Sequence, residues 1–275
     1  MSFCQYCGTE LTIDTKFCPG CGSATTESEE TIIQSIPIQE TKVYSPPKEI
    51  VIRGTDQFPL VEFVLSSDSK VLIESGAMVY HNGNVRLEGR LNNKGEEGFN
   101  GLIKAVGRSV VSGETMFITE VYGTQNEGRI TIAPPTEGKL IQVEVGEKQW
   151  YLNDGVFLAS TNSVSYDIKS QTMSKALFGG TGGLFIQETR GEGQLFFSAY
   201  GEIEKIEFDE TKEQLVVDNE HVVAWQTTLD YSIETASGSF GAMTGEGAVL
   251  RFHEKGTLFI QTRSFNRLKE KINID

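Results

Sequence analysis

Four cysteines fall within the first 22 residues, Cys4 with Cys7 and Cys18 with Cys21, and the chain has no others. Each pair is a CxxC, and ten residues separate Cys7 from Cys18. Thiolates are soft donors, and two CxxC turns present four of them to one tetrahedral ion, so the chemistry this spacing suits is the binding of a single Zn2+. With all four sulfurs committed, no coordination position stays open for water or substrate, and the ion is expected to be structural. Binding worth ~10–16 kcal/mol can fold a segment too small to fold alone. A redox CxxC needs a helix start inside a βαβ unit, and no helical pattern follows either pair.

No second constellation is written as plainly. His81, His221 and His253 are the only histidines, and they sit far apart in three different contexts. A strand-borne metal enzyme needs a close His pair with a carboxylate and a further His. The glycines of "FGGTGG", residues 178 to 183, could cradle a phosphate only with a helix N-terminus behind them, and a strand-like "LFIQ" follows instead. No GxSxG elbow occurs for a serine nucleophile. Pairs such as Glu204 and Glu207 read as a solvated face.

The elements that hold these residues fall into four stretches. Residues 1–22 form the zinc module, which resembles the N-terminal zinc ribbons of many bacterial and archaeal proteins, where such ribbons dock partners. Residues 23–49, rich in Ser, Thr and Glu and then in Pro, read as a flexible acidic linker. Residues 50–264 form an all-β body, with short alternating apolar runs broken by Gly, Asn and Asp. Residues 265–275 place Phe265, Leu268 and Ile272 at helical spacing among Arg267, Lys269 and Lys271, which predicts a short C-terminal helix or tail.

Self-comparison divides the body further. "VLIESGAMVYHNGNVRL" (71–87), "WYLNDGVFLASTNSVSYDI" (150–168) and "LVVDNEHVVAWQTTLDYSI" (215–233) share one plan of apolar run, polar turn, apolar run and alternating tail. Each is followed by a strand, a glycine turn and another strand, in 113–135, 182–203 and 245–264. Three copies of a hairpin pair predict a pseudo-threefold repeat whose units close on one another to pair their edges. Tyr80, Phe117, Phe157, Phe185, Trp225 and Phe259 are the expected core aromatics.

The runs "SGAMVYHNGNV", "GVFLAST", "FGGTGGLFIQETRGEGQLFFSAYGEI", "VVDNEHVVAWQ" and "GEGAVLRFHEKGTLFIQTRS" together resemble the mitochondrial-biogenesis AIM family, number twenty-four of its series. The resemblance implies a compact body of β-helical or β-prism type, related in shape to the tryptophan RNA-binding attenuation protein. The yeast mitochondrial member is associated with inner-membrane organisation. The family brings no established catalytic residues, so none carry over. The zinc module is an addition to the family pattern.

Charge narrows the function. The 24 basic and 38 acidic residues give a formal net charge of −14. Affinity for phosphates comes largely from Lys and Arg, so nucleic acid is a disfavoured partner. Neither a leader pattern nor an apolar run near the ~20 residues of a membrane span is present, which points to a cytoplasmic protein with peripheral membrane association at most. The expectation is a non-enzymatic scaffold or protein-interaction protein that meets a protein partner through the zinc ribbon and forms a homo-oligomer. The alternatives are nucleic-acid binding through the ribbon, and a small-molecule binder or enzyme using a pocket between repeats.

Overall fold

The computed structural model describes residues 2–3, 9–11, 19, 43–92, 116–171, 184–209, 214–235 and 248–272. The chain divides into two compact units, Met1–Val43 and Tyr44–Asp275. In the first unit β1 (Ser2–Phe3) pairs antiparallel with β2 (Glu10–Leu11), Phe3 opposite Glu10, so the paired residues stand on either side of the first CxxC along the chain.

The second unit opens with residues 44–48 laid along the body. Ser45 donates its backbone N–H to the Asp68 carbonyl at 2.8 Å and its hydroxyl to the Asp68 carboxylate at 2.6 Å. After β3 (Glu49–Thr55) the described strands run in three sets of six. The first is β4 (Phe58–Leu65), β5 (Lys70–Glu74), β6 (Met78–His81), β7 (Val85–Asn92), β8 (Met116–Gly123) and β9 (Gly128–Ile132). The second is β10 (Leu140–Val145), β11 (Trp150–Leu152), β12 (Phe157–Thr161), β13 (Val164–Gln171), β14 (Leu184–Gly191) and β15 (Gly193–Ser198). The third is β16 (Ile203–Phe208), β17 (Leu215–Asp218), β18 (Val222–Gln226), β19 (Asp230–Thr235), β20 (Ala248–His253) and β21 (Gly256–Gln261).

Every strand pairing among the described residues of this unit is antiparallel, and the partners recur from set to set. The first strand meets the sixth in β4·β9, β10·β15 and β16·β21. The third also meets the sixth, in β6·β9, β12·β15 and β18·β21. The fourth and second both meet the fifth, as in β7·β8 and β5·β8, β13·β14 and β11·β14, and β19·β20 and β17·β20. Pairing between sets occurs twice, at β5·β12 and β11·β18. These two junctions create the six-stranded sheets β10-β15-β12-β5-β8-β7 and β13-β14-β11-β18-β21-β16. A four-stranded sheet β3-β4-β9-β6 and a three-stranded sheet β17-β20-β19 remain separate.

Apolar side chains gather where the sheets face each other. One cluster joins Phe63, Ile73, Val121 and Ile130; a second joins Trp150, Leu152, Phe157 and Phe197; a third joins Trp225, Leu250, Phe252 and Leu258. Strand β12 reads FLAST and every residue is buried, because its two faces serve different clusters: Phe157 lies in the second, Leu158 and Ala159 in the first. A strand covered on both faces reads as a continuous apolar run rather than an alternation. The turn from β14 to β15 depends on Gly191, whose φ is +93° and where a Cβ would stand 2.2 Å from the Ser163 carbonyl oxygen.

The chain described ends in α1 (Phe265–Ile272), the C-terminal helix that the spacing predicts. Ser264 caps it by accepting the Arg267 N–H at 3.1 Å, while its hydroxyl donates to Glu220. Of the expected core aromatics, Phe157, Trp225 and Phe259 are buried, and the side chains of Phe117 and Phe185 lie outside the described residues. Tyr80 differs: it is 49% exposed, because β6 ends its sheet and, among the described residues, has no strand on its far side.

Candidate functional site

Cys4, Cys7, Cys18 and Cys21 lie outside the described residues, as does the glycine run 178–183. Among the described residues no three His, Cys, Asp or Glu side chains come together in a way that could hold a metal. The histidines stay apart. His81 Nδ1 accepts the Gly83 N–H at 3.0 Å, His221 Nδ1 lies 2.7 Å from the Gln261 carbonyl, and His253 Nε2 lies 2.9 Å from Asp230. Glu207 accepts the Thr257 hydroxyl at 2.8 Å and pairs with Lys205 on an open face.

Two carboxylates do organise their surroundings. On β8, Glu120 accepts from Lys70 Nζ at 3.0 Å, Arg90 Nη1 at 3.2 Å and the Tyr122 hydroxyl. Burial pushes this carboxyl up, but the hydrogen bonds from Tyr122 and Lys70 and the charges of Lys70 and Arg90 outweigh it and hold the group below its ordinary value. On β4, Glu62 accepts from Arg53 at 3.0 Å, Arg129 at 3.2 Å and the Thr131 hydroxyl at 3.3 Å. Arg53 also donates to the Tyr80 hydroxyl at 2.8 Å. Strands β3, β4, β9 and β6 thus contribute in order to one polar outer face. Both arrangements satisfy charge locally.

A groove of about 670 Å³ runs between residues 44–50 and the turns that carry Asn162 and Glu192, with Lys48, Glu144 and Gln194 on its walls. On one wall Gln194 donates to Glu144 at 3.2 Å.

The feature that sets one part of the body apart is an edge. Strands β12 and β18 are buried at every residue, whereas all four residues of β6 are exposed, Met78 by 42% and Val79 by 52%. All three strands carry a bulge at the matching place, where Val79, Leu158 and Val223 are skipped in the pairing. Leu158 and Val223 are completely buried there. Strand β17 ends the three-stranded sheet in the same fashion, and Val216 on it is 45% exposed. Apolar side chains on an unpaired edge offer main-chain hydrogen bonds and side-chain contact to an extended partner strand.

The reading of aromatics at strand period as core missed this edge. A signal lay in the three sets of strands. Where β12 and β18 carry Ala159 and Ala224, β6 carries Tyr80, and where β15 and β21 carry Phe196 and Phe259, β9 carries Thr131. A large polar-tipped ring and a hydroxyl in place of a small and a large apolar residue mark a face that carries a polar cluster and not a core.

Comparison with known proteins agrees with the extent of the second unit. Residues 50–263 match the family described as Mitochondrial biogenesis AIM24. An uncharacterized protein of Streptococcus pyogenes serotype M6 is 43% identical over 225 residues, covering 82% of this chain and 89% of its own. The X-ray crystal structure of a Streptococcus pyogenes protein is similar with a TM-score of 0.67 at 38% identity, covering 82% of this chain and 98% of that one. No described helix is long and apolar enough to cross a membrane.

Proposed function

Because the chain belongs to the Mitochondrial biogenesis AIM24 family, and because its body leaves apolar strand edges unpaired, we propose that it is a non-enzymatic interaction scaffold. The carrying observation is β6, a strand whose Met78, Val79 and Tyr80 are all exposed at an edge where the equivalent strands are buried. Proteins blunt or cover edges that have no partner, and here β3 covers the β4 side of the same sheet while no strand of the described residues pairs with the β6 side.

The body is read as three tandem copies of one six-stranded unit. Support comes from the recurring partners and from the bulge at the matching residue of β6, β12 and β18. Cys4, Cys7, Cys18 and Cys21 hold one structural zinc in a ribbon that docks a protein partner; four soft donors in two CxxC pairs support that assignment.

Crosslinking in the producing cell tests the reading, with the full chain compared against a chain in which all four cysteines are serine. The cysteine-free chain is expected to lose part of the partner set. Identical partner sets would remove the docking role of the ribbon, and a saturable turnover of a metabolite by the purified chain would remove the non-enzymatic reading.

A further inference from the structure

Two junctions between sets of strands are closed, and they follow one rule. Ala159, Ser160 and Thr161 of β12 stand opposite Ile73, Leu72 and Val71 of β5. Ala224, Trp225 and Gln226 of β18 stand opposite Leu152, Tyr151 and Trp150 of β11. In both, the third strand of one set meets the second strand of the preceding set, antiparallel, just beyond the bulge. The bulges at Val79, Leu158 and Val223 fix which residues correspond. By that correspondence β6 takes a partner at Tyr80, His81 and Asn82, and β17 presents Val217, Val216 and Leu215 in the matching order. Among the described residues neither strand has a partner on that side.

We propose that β6 of one copy of this chain pairs antiparallel with β17 of a second copy, so that copies associate head to tail with Tyr80 opposite Val217, His81 opposite Val216 and Asn82 opposite Leu215. The proposal rests on the scaffold reading and names the partner at this edge. Each copy carries one edge of each kind, and a neighbouring copy at either end satisfies one of them through the junction that the chain already uses twice. The side chains left open are those such a junction covers: Met78, Val79 and Val216 are 42%, 52% and 45% exposed, while Leu158 and Val223 at closed junctions are completely buried. The turn behind β6 is held ready, since Asn82 donates to the Glu127 carbonyl at 3.0 Å and accepts the Arg129 N–H at 3.1 Å.

The same comparison explains why the junction does not close within one chain. Closure there would lay the third core over the outer face of β3-β4-β9-β6, placing Tyr80 where Ala159 and Ala224 are completely buried and covering Glu62 with its two arginines. A separate copy is not tied by connecting loops and can pair the edge, covering Met78 and Val79 at its rim, without covering Glu62 and its two arginines. Lacking the apolar layer that seals the inner junctions, the contact between copies is reversible.

Sedimentation velocity of the full chain across a dilution series tests this. The mass should rise from monomer as concentration rises. Val79→Lys blocks the head and Val216→Lys the tail, both at exposed positions where an unchanged melting curve confirms folding. Each variant alone should stay monomeric at every concentration, and a mixture of the two should form a one-to-one dimer and nothing larger. A wild-type chain that stays monomeric throughout, or a mixture that forms no dimer, overturns the proposal. So does hydrogen exchange showing β6 amides protected in the monomer, which would place the closure within one chain. A monomeric wild type that still captures other proteins in the cell overturns the head-to-tail junction and leaves the scaffold reading standing. A self-associating chain that captures no other protein supports the junction and removes the docking role.

Discussion

Truncating the bulge residue in three equivalent strands measures what each junction contributes. Leu158 in β12 and Val223 in β18 are completely buried, and Val79 in β6 is 52% exposed. Leu158→Ala should cost about 2–5 kcal/mol, the range for emptying a close-packed leucine site. Val223→Ala removes two methyl groups at ~0.8 kcal/mol each and leaves a small cavity, for a total of about 2–3 kcal/mol. Val79→Ala removes groups already in water and should stay within about 0.5 kcal/mol in dilute protein. Urea unfolding followed by the fluorescence of Trp150 and Trp225, both buried in the body, reads these differences directly. In thermal unfolding, at ~2–4 °C per kcal/mol for a chain of this size, Val223→Ala should melt roughly 4–12 °C lower. A Val79→Ala cost equal to that of Val223→Ala in dilute protein would mean that β6 is covered within the single chain, and the open edge would have to be abandoned. If copies pair through β6, the Val79→Ala cost should instead appear as concentration rises, because association stabilises the folded state by mass action.

Three further outcomes follow from individual residues. Burial raises the Glu74 carboxyl from an ordinary 4.5 to about 7, so the folded chain keeps a proton that the unfolded chain has released, and stability falls as pH rises across that window. Glu74→Gln should therefore stabilise the protein above pH ~7 and change little below pH ~4, and an equal effect at both ends would show that burial is not the cause. Lys70→Met removes one of three donors from Glu120, and with Arg90 and Tyr122 still in place it should cost about 2 kcal/mol at neutral pH. Since the Glu120 carboxyl is held low in the folded state, that cost is present above its ordinary value and should fade as pH drops through the lowered one; a cost independent of pH would assign it to packing. The proposed zinc site predicts that the purified chain carries one Zn2+, read with a chromophoric chelator, and that Cys18→Ser loses it; a variant that still holds its metal would overturn the four-cysteine assignment.

The all-β body was legible because its strands alternate and its turns are spelled in glycine and asparagine, with Gly191 a position where only glycine fits. Self-comparison found the second to sixth strands of each set but passed over the first, and the structure gives the reason. Strand β4 lies between β3 and β9 and is buried along most of its length, while β10 and β16 are outer strands with mixed exposure. The same pairing role was therefore written in three dissimilar sequences, FPLVEFVL, LIQVEV and IEKIEF. Tyr80 was illegible for a related reason. Whether an aromatic at strand period is covered depends on a neighbour supplied from far along the chain, and β6 has none among the described residues. The polar cluster of Arg53, Glu62, Arg129 and Tyr80 draws on four strands, and nothing in the local sequence of any one of them announces it.

The length of the free edges bears on what they can do. Each inner junction consists of three facing residue pairs, and β6 and β17 are each four residues long. An edge of that length can form the junction the chain already uses. Longer stacking on β6 is stopped on one side by the β6–β7 turn, where Gly83 has φ +85° and Asn82 accepts the N–H of Arg129 in β9. On β17 it is stopped by the 3-10 turn Asn219–His221, whose first turn is capped by Asp218 accepting the Glu220 N–H at 2.9 Å. Long, flat, apolar edges template indefinite aggregation, and short ones bounded by fixed turns limit a contact to one register. A tandem array normally ends in polar faces that stop its growth. Here the outer face of the first sheet is polar while its edge is not, a combination that excludes a buried continuation of the core and still admits a strand.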